Sequence, residues 1–150
     1  MPLAALALSG AALVGVANHE GFRGAAYKDP VGVPTIGFGT TQGVKMGDKI
    51  TPERALVRLL ADADAMQKQM RACIGDVPLH QHEWDAFVSL TYNIGSAAFC
   101  RSSLVQRLKQ QDYAGACRAI LPWNKAGGRV LAGLTKRRQA EFALCAKGGR

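Results

Sequence analysis

The stretch from His19 to Thr41 reads HEGFRGAAYKDPVGVPTIGFGTT. It sets Glu20 at the end of an apolar helix-like segment, Asp29 nine residues on, and Thr35 six after that. Between Phe22 and Ile50 stand eight glycines or prolines, too many for a helix. Pro30, Gly32 and Pro34 mark a turn, so Tyr27–Asp29 and Thr35–Phe38 are predicted to pair as an antiparallel hairpin. Gly37 and Gly39 fall in the return strand, where a missing side chain lets another backbone or a ligand come close. Two carboxylates beside such a hairpin suit cleavage of a glycosidic bond: one protonates the leaving oxygen and the other handles a water. Spacing alone is weak support in a chain with eleven acidic residues.

Residues 2–17, PLAALALSGAALVGVA, carry no charge. They are short for a membrane span and lack the basic flank of a secretion signal. One reading is a buried first helix, from about residue 5 to Glu20, stopped by Gly21. The other is an export segment that inserts, escapes and refolds against the rest. Catalysis and export then draw on one piece of chain.

C-terminal to the hairpin, Thr51, Pro52 and Glu53 form a helix start. Leu56, Leu59, Leu60, Ala63, Met66, Met70 and Cys73 recur at three and four, predicting a long amphipathic helix over about 52–73 that Gly75 ends. Short helices follow over about 76–150. Trp84, Phe87, Val88, Thr91 and Ile94 make a stripe closed by Gly95; Ser102 or Ser103 caps the next helix; Asp112 caps one that Pro122 stops; Gly127-Gly128 breaks the chain; a last helix starts near Gly133. A single α+β domain over 1–150 follows, mainly helical, with a β lobe at about 21–50 joined by the long helix to an all-α lobe.

Nearly half the residues are hydrophobic and a fifth are charged, which fits an ordered globular chain. The net charge of +8 implies an acidic partner. Its bases are spread out, with one cluster at Lys136, Arg137 and Arg138, a pattern suited to long-range attraction to a polyanion rather than to reading a nucleic-acid sequence. His19, His80 and His82 are expected in solvent, and the spacing of the last two is wrong for helical metal ligands. Neither a metal nor a cofactor is expected.

The four cysteines, Cys73, Cys100, Cys117 and Cys145, include no C-x-x-C pair, which argues against zinc. Three disulfide pairings are possible. Cys117 with Cys145, each on a C-terminal helix, and Cys73 with Cys100, each near a helix end, is preferred; the alternative is four buried free thiols.

Glu20, Asp29 and Thr35, with YKDPVG between and TIGFG following, closely resemble the motif of the phage-type lysozymes, the muramidase endolysins of bacteriophages. TYNIGSAAFCRSSL at 91–104 and PWNKAGGRVLAGLTKRR at 122–138 extend the resemblance, the latter toward the family's disulfide-containing branch. The resemblance implies a lysozyme-like fold and hydrolysis of the β-1,4 bond between N-acetylmuramic acid and N-acetylglucosamine in peptidoglycan. Glu20 would be the general acid, and Asp29 and Thr35 would orient the attacking water. Glu20 then has to hold a proton near neutral pH, which asks for partial burial, whereas Asp29 has to stay ionised in a polar setting. Direct attack by water asks for carboxyls roughly 6.5–9.5 Å apart.

By the same resemblance, Tyr92 and Asn93 would contact sugar, and Arg137 or Arg138 would fix the orientation of Glu20. For Tyr92 and Asn93 the competing reading is a core-facing aromatic and a capping amide, and for the arginines a plain surface position. Where the family often has histidine after GFG this chain has Thr40, so a histidine-dependent salt bridge between strand and linker helix is absent. Two other functions remain open: a lytic transglycosylase acting on the same bond, and a non-enzymatic basic protein that disrupts membranes. The expected partners are peptidoglycan strands, with electrostatic contact to anionic envelope polymers or lipids, no nucleic acid, and a monomeric state. The expected place of action is the host periplasm, reached through residues 2–17 or through a holin lesion.

Overall fold

The computed structural model describes residues 1–150. The protein is mostly helical, with two small antiparallel sheets. A 3₁₀ turn at Leu3–Ala5 precedes α1 (Gly10–Glu20), β1 (Arg23–Lys28), β2 (Pro34–Gly37) and the long α2 (Pro52–Ile74). Then come α3 (Gln81–Ile94), α4 (Ser96–Arg101), α5 (Ser103–Lys109), α6 (Tyr113–Arg118), a hairpin of β3 (Lys125–Ala126) and β4 (Arg129–Val130), and α7 (Ala132–Cys145). The chain divides into two compact units, Leu13–Ala65, and Met1–Ala12 with Met66–Arg150. No helix is long and apolar enough to cross a membrane.

In the unit Leu13–Ala65, β1 and β2 form the expected hairpin, with Tyr27 opposite Thr35, Lys28 opposite Pro34, and an irregularity before Arg23 meets Gly37. A second segment lies along β1: Ala25 bridges Lys49, and the Ile50 N–H bonds the Gly24 carbonyl at 2.9 Å. Gly37 is where a backbone comes close. Its φ is +66°, and a Cβ placed there would lie 3.0 Å from the Cβ of Ala55. The absent side chain lets α2 pack directly on β2. Phe38 tilts against Phe22 with ring centroids 5.6 Å apart. Ile36 and Thr40 exchange both main-chain hydrogen bonds, closing a tight turn on which the Thr40 hydroxyl donates to Asp62 Oδ2 at 2.8 Å. That bond links strand and long helix.

α2 begins at Pro52, as expected, with the Arg54 N–H on Thr51 Oγ1 at 3.4 Å. Its buried face keeps Leu59, Ala63 and Met70 of the expected row, with Met66 and Cys73 packed against the core, but not Leu56 and Leu60. The residues turned inward are Ala55, Leu59, Ala63, Gln67, Met70 and Ile74, while Leu56 and Leu60 are 42% and 45% exposed. Two neighbouring rows of a helix fit the same three-and-four spacing, and Gly37 selects the row that starts with the small Ala55.

The other unit is built around α3. Every residue from Glu83 to Thr91 is buried, so the expected stripe is a helix enclosed on all sides, packing on α7 and α4. Trp84, Phe87, Phe99, Leu104, Leu108 and Ile120 fill the core, each large apolar side chain contributing roughly 1.5–3 kcal/mol. Leu3 and Leu6 join it. The first helix starts at Gly10 rather than near residue 5, because Ser9 takes the cap position: its hydroxyl accepts the Ala12 N–H at 3.1 Å. Ser9 is itself held by the buried Asp85, through its N–H (3.0 Å) and its hydroxyl (2.7 Å). Leu8 N–H and the Trp84 indole both donate to Gln67 Oε1, at 2.8 and 2.9 Å. Arg71 reaches the Leu6 carbonyl at 2.6 Å and Gln81 the Ala7 carbonyl at 2.7 Å.

Both preferred disulfides are present, Cys73–Cys100 and Cys117–Cys145. Asp112 caps α6 through the Gly115 N–H at 2.9 Å, whereas Ser102 turns its hydroxyl back to the Phe99 carbonyl. The Gly127-Gly128 break is a two-residue turn joining β3 to β4. His82 is not simply solvated: half-buried, it bonds the Leu144 carbonyl through Nδ1 at 3.1 Å. Arg150 pairs with the buried Glu83 at 2.9 Å and covers the Tyr113 ring.

Candidate active site

Glu20 is the last residue of α1 and is half-buried. Gly21 stops the helix directly behind it, with φ +71° and its N–H on the Ala17 carbonyl at 2.9 Å. The glutamate is therefore held at a helix end, where the chain turns into β1.

Asp29 stands one residue beyond β1 and is also half-buried. Its Oδ1 accepts the N–H groups of Val31 (3.0 Å) and Val33 (2.8 Å), and its own N–H bonds the Val33 carbonyl at 2.9 Å. The Gly32 N–H returns to the Asp29 carbonyl at 2.9 Å. Residues 29–33 thus close on the aspartate, a side-chain turn of the kind Asp forms with backbone two residues on. Thr35 is 4% exposed, and its hydroxyl donates to the same Val33 carbonyl at 2.9 Å. Val33 joins the two: one carbonyl takes the Asp29 N–H and the Thr35 O–H. Asp29 Oδ1 is occupied by backbone donors, and Thr35 has committed its only proton, which leaves both side chains with acceptor capacity to offer.

Tyr92 and Asn93 lie in the other unit, at the C-terminal turn of α3, Tyr92 half-buried and Asn93 exposed. Neither arginine of the cluster Lys136–Arg138 is a surface residue. Arg137 and Arg138 are 7% and 0% exposed and lie in a buried network with Glu141 and Ser89. Arg138 pairs with Glu141 through one hydrogen bond, Nη2 to Oε1 at 2.9 Å, while Nε lies 2.8 Å from Oε2 as an ion pair without hydrogen-bond geometry. Ser89 donates to Glu141 Oε1 at 2.7 Å, and Arg137 adds Nε to the same oxygen at 3.3 Å. Burial pushes the Glu141 carboxyl above its ordinary range, more than Arg138, Ser89 and Arg137 draw it down. The other terminal nitrogen of Arg138, Nη1, donates to Asn93 Oδ1 at 2.8 Å and to the Trp123 carbonyl at 3.3 Å.

Sequence reasoning missed Glu141 and Ser89. The signal was there in the i,i+3 and i,i+4 spacing of Arg138 and Arg137 to Glu141. It also missed a concavity of about 500 Å³ in the hairpin unit, lined by Lys49, Ile50, Thr51, Arg54 and Arg58, where three cations gather without a carboxylate.

The phage lysozyme family profile matches residues 17–141, a span that takes in Glu20, the hairpin, both disulfides' first cysteines and the Arg137–Glu141 network. The chain belongs to the phage lysozyme family. It is 42% identical over 136 residues to an endolysin of Acyrthosiphon pisum secondary endosymbiont phage 1, covering 88% of this chain and 92% of that one. It is 39% identical to the SAR-endolysin of Pseudomonas phage phiKMV, with 96% of this chain and 91% of the relative covered. Among solved structures, the muramidase domain of SpmX from Asticaccaulis excentricus superposes with a TM-score of 0.86 at 30% identity, over 93% of this chain and 97% of that one. Phage lysozymes of this kind are endolysins, and membership makes this chain a peptidoglycan hydrolase.

Proposed function

We propose that this phage lysozyme is an N-acetylmuramidase that hydrolyses the β-1,4 bond between N-acetylmuramic acid and N-acetylglucosamine. Glu20 protonates the leaving glycosidic oxygen, and Asp29 with Thr35 holds the water that attacks the anomeric carbon. The observation that carries this reading is the wiring of the hairpin. Asp29 has Oδ2 to spare and Thr35 has spent its proton on Val33, so the pair offers two acceptors to the two hydrogens of one water. A water held by both hydrogens presents its lone pair to the sugar, and Asp29 is placed to take the proton it sheds. Attack by a held water inverts the anomeric centre. The relative described as a muramidase domain supports the same bond.

Product analysis tests the reading. Hydrolysis leaves free reducing N-acetylmuramic ends, whereas a transglycosylase, which needs no water-holding pair, leaves anhydro-muramic ends; finding the latter overturns the proposal. Glu20→Gln should cut clearing of wall fragments by about 10²–10⁴-fold with an unchanged thermal melt. Retained clearing would point instead to a non-enzymatic basic protein.

The chain acts on the wall from the periplasmic side, and residues 2–17 carry the export. Their lack of charge and the similarity of nearly the whole chain to a SAR-endolysin support this route. A reporter fused to residues 1–18 should reach the periplasm and be released there; a reporter left in the cytoplasm returns the export to a separate membrane lesion. The cations around Lys49, Arg54 and Arg58 add attraction to anionic envelope polymers.

A further inference from the structure

We propose that the concavity in the hairpin unit is a binding site for a phosphomonoester, the phosphoryl group of a sugar phosphate or of a lipid headgroup, held by Lys49, Arg54 and Arg58. The hollow measures about 500 Å³, room for a phosphorylated sugar as well as a bare anion, and all five residues lining it belong to Leu13–Ala65. Its charged side chains offer donors only. Thr51 adds a hydroxyl whose oxygen already takes the Arg54 N–H at 3.4 Å and whose proton is left to give. None of the ion pairs Arg107–Asp112, Arg137–Glu141, Arg138–Glu141 and Arg150–Glu83 takes in a residue of this hollow. The neighbouring Asp48 is turned to its own loop, with Oδ2 on the Lys45 N–H at 2.9 Å, and Glu53 is not part of the lining.

Backbone contacts, not counter-charges, hold these cations in place. Lys49 bridges Ala25 of β1, and the bonds on either side of it, Ala26 N–H to the Asp48 carbonyl and Ile50 N–H to the Gly24 carbonyl, are each 2.9 Å. Arg54 and Arg58 stand one turn apart on α2, and Arg58 is tied through Nη2 to the Gln42 carbonyl, which leaves Nε and Nη1 to a ligand. On their own these placements cost stability. Two like charges at i,i+4 repel, and Arg54 in the first turn of α2 opposes the helix dipole, which favours an acid there. An anion in the hollow offsets both costs. A carboxylate brings one charge and two oxygens, whereas a phosphomonoester brings roughly 1.5–2 charges and three acceptor oxygens at neutral pH. That is the closer match for three cations converging from two segments.

Glucose 1-phosphate in solution, and phosphatidylcholine vesicles with and without phosphatidic acid, separate the two sources. With the sugar phosphate, the thermal melt of the full chain should rise with ligand concentration, and the amide resonances of Thr51 and Arg54 should shift. Acetate at matched ionic strength should do neither. Arg54→Gln, which keeps a good helix former at an exposed position, should bind on the order of tenfold more weakly and, without ligand, should melt at or above the parent temperature. Lys49→Gln should weaken binding by a similar factor. If a lipid is the source, phosphatidic acid draws the chain to vesicles, and that binding has to weaken in Arg54→Gln too, since the net charge of +8 alone attracts any anionic surface. Binding of the sugar phosphate without the vesicles assigns the site to a phosphorylated sugar. Binding of neither, an acetate response equal to that of the sugar phosphate, or parent affinity in Arg54→Gln would overturn the proposal. These readouts involve no cleavage and stand apart from the muramidase reading, which fails through anhydro ends or through full activity in Glu20→Gln.

Discussion

The Thr40 hydroxyl donates to Asp62 Oδ2 at 2.8 Å, across 22 residues of chain, and fastens the turn after β2 to the middle of α2. Thr40 is 1% exposed, so the bond is sheltered on the donor side. An ion pair at this place would weaken with salt and titrate with the imidazole. A hydroxyl carries no charge to screen or lose.

Thr40→Val, which keeps the shape and removes the donor, should destabilise the protein by about 1–2 kcal/mol. Urea denaturation at low and at high salt checks it. The loss should be nearly the same in both, and a loss that vanishes in high salt would show that charge, not the hydroxyl, carries the link.

Asp112 supplies a pH dependence with a definite sign. The Gly115 N–H on its carboxylate, and then Arg107 at 2.9 Å, hold it below the ordinary value of 3.8. A depressed folded-state value means that its stabilising contribution is complete above the unfolded value and is lost as pH falls through the folded one. Asn at this position still caps the helix but does not titrate. Melting curves of the parent and of Asp112→Asn should therefore differ by a constant amount from neutral pH down to about 5 and converge below 3.8.

The buried network of α7 predicts an asymmetry. Glu141→Gln leaves Arg138, with no exposed surface, short of its counter-charge, and should cost about 3–5 kcal/mol. Replacing Arg138 and Glu141 together by apolar residues of similar volume should cost less than the single change, because no charge is then stranded. Equilibrium unfolding of the two variants decides it, and the opposite order would mean that the pair itself is the source of stability.

Each disulfide closes a loop of similar length, with separations of 27 and 28 residues. Chain entropy assigns each about 3–4 kcal/mol. The paired change Cys117→Ser with Cys145→Ser should lower stability by that amount, measured by urea midpoint, and Cys73→Ser with Cys100→Ser by about the same.

Much of this was legible in the sequence because it is encoded locally. The turn at Pro30, Gly32 and Pro34, the Thr51-Pro52-Glu53 helix start and the Asp112 cap each need only a few adjacent residues, and each stands where it was expected. What escaped depends on residues far apart. The start of α1 is set by Ser9 meeting Asp85, 76 residues away. The choice between two apolar rows on α2 is made by Gly37, whose missing side chain admits Ala55. Arg137 and Arg138 look like surface charges until α3 brings Ser89 beside Glu141. At the candidate site, residue types and spacing pointed to Asp29 and Thr35, but not to the Val33 carbonyl that joins them, since backbone groups leave no trace in residue type.

The seating of residues 3–9 also bears on the order in which the protein assembles. Leu6, Ala7, Leu8 and Ser9 find their polar partners in Arg71, Gln81, Gln67 and Asp85, between 59 and 76 residues further along. During synthesis this segment leaves the ribosome well before any of those partners exists, so it has to wait while the chain between them is made. Until it docks, Asp85 lacks the N–H and hydroxyl of Ser9, in a core that also lacks Leu3 and Leu6. The helical unit is thus finished from its oldest end, and a nascent chain whose N-terminal residues are detained elsewhere stays incomplete.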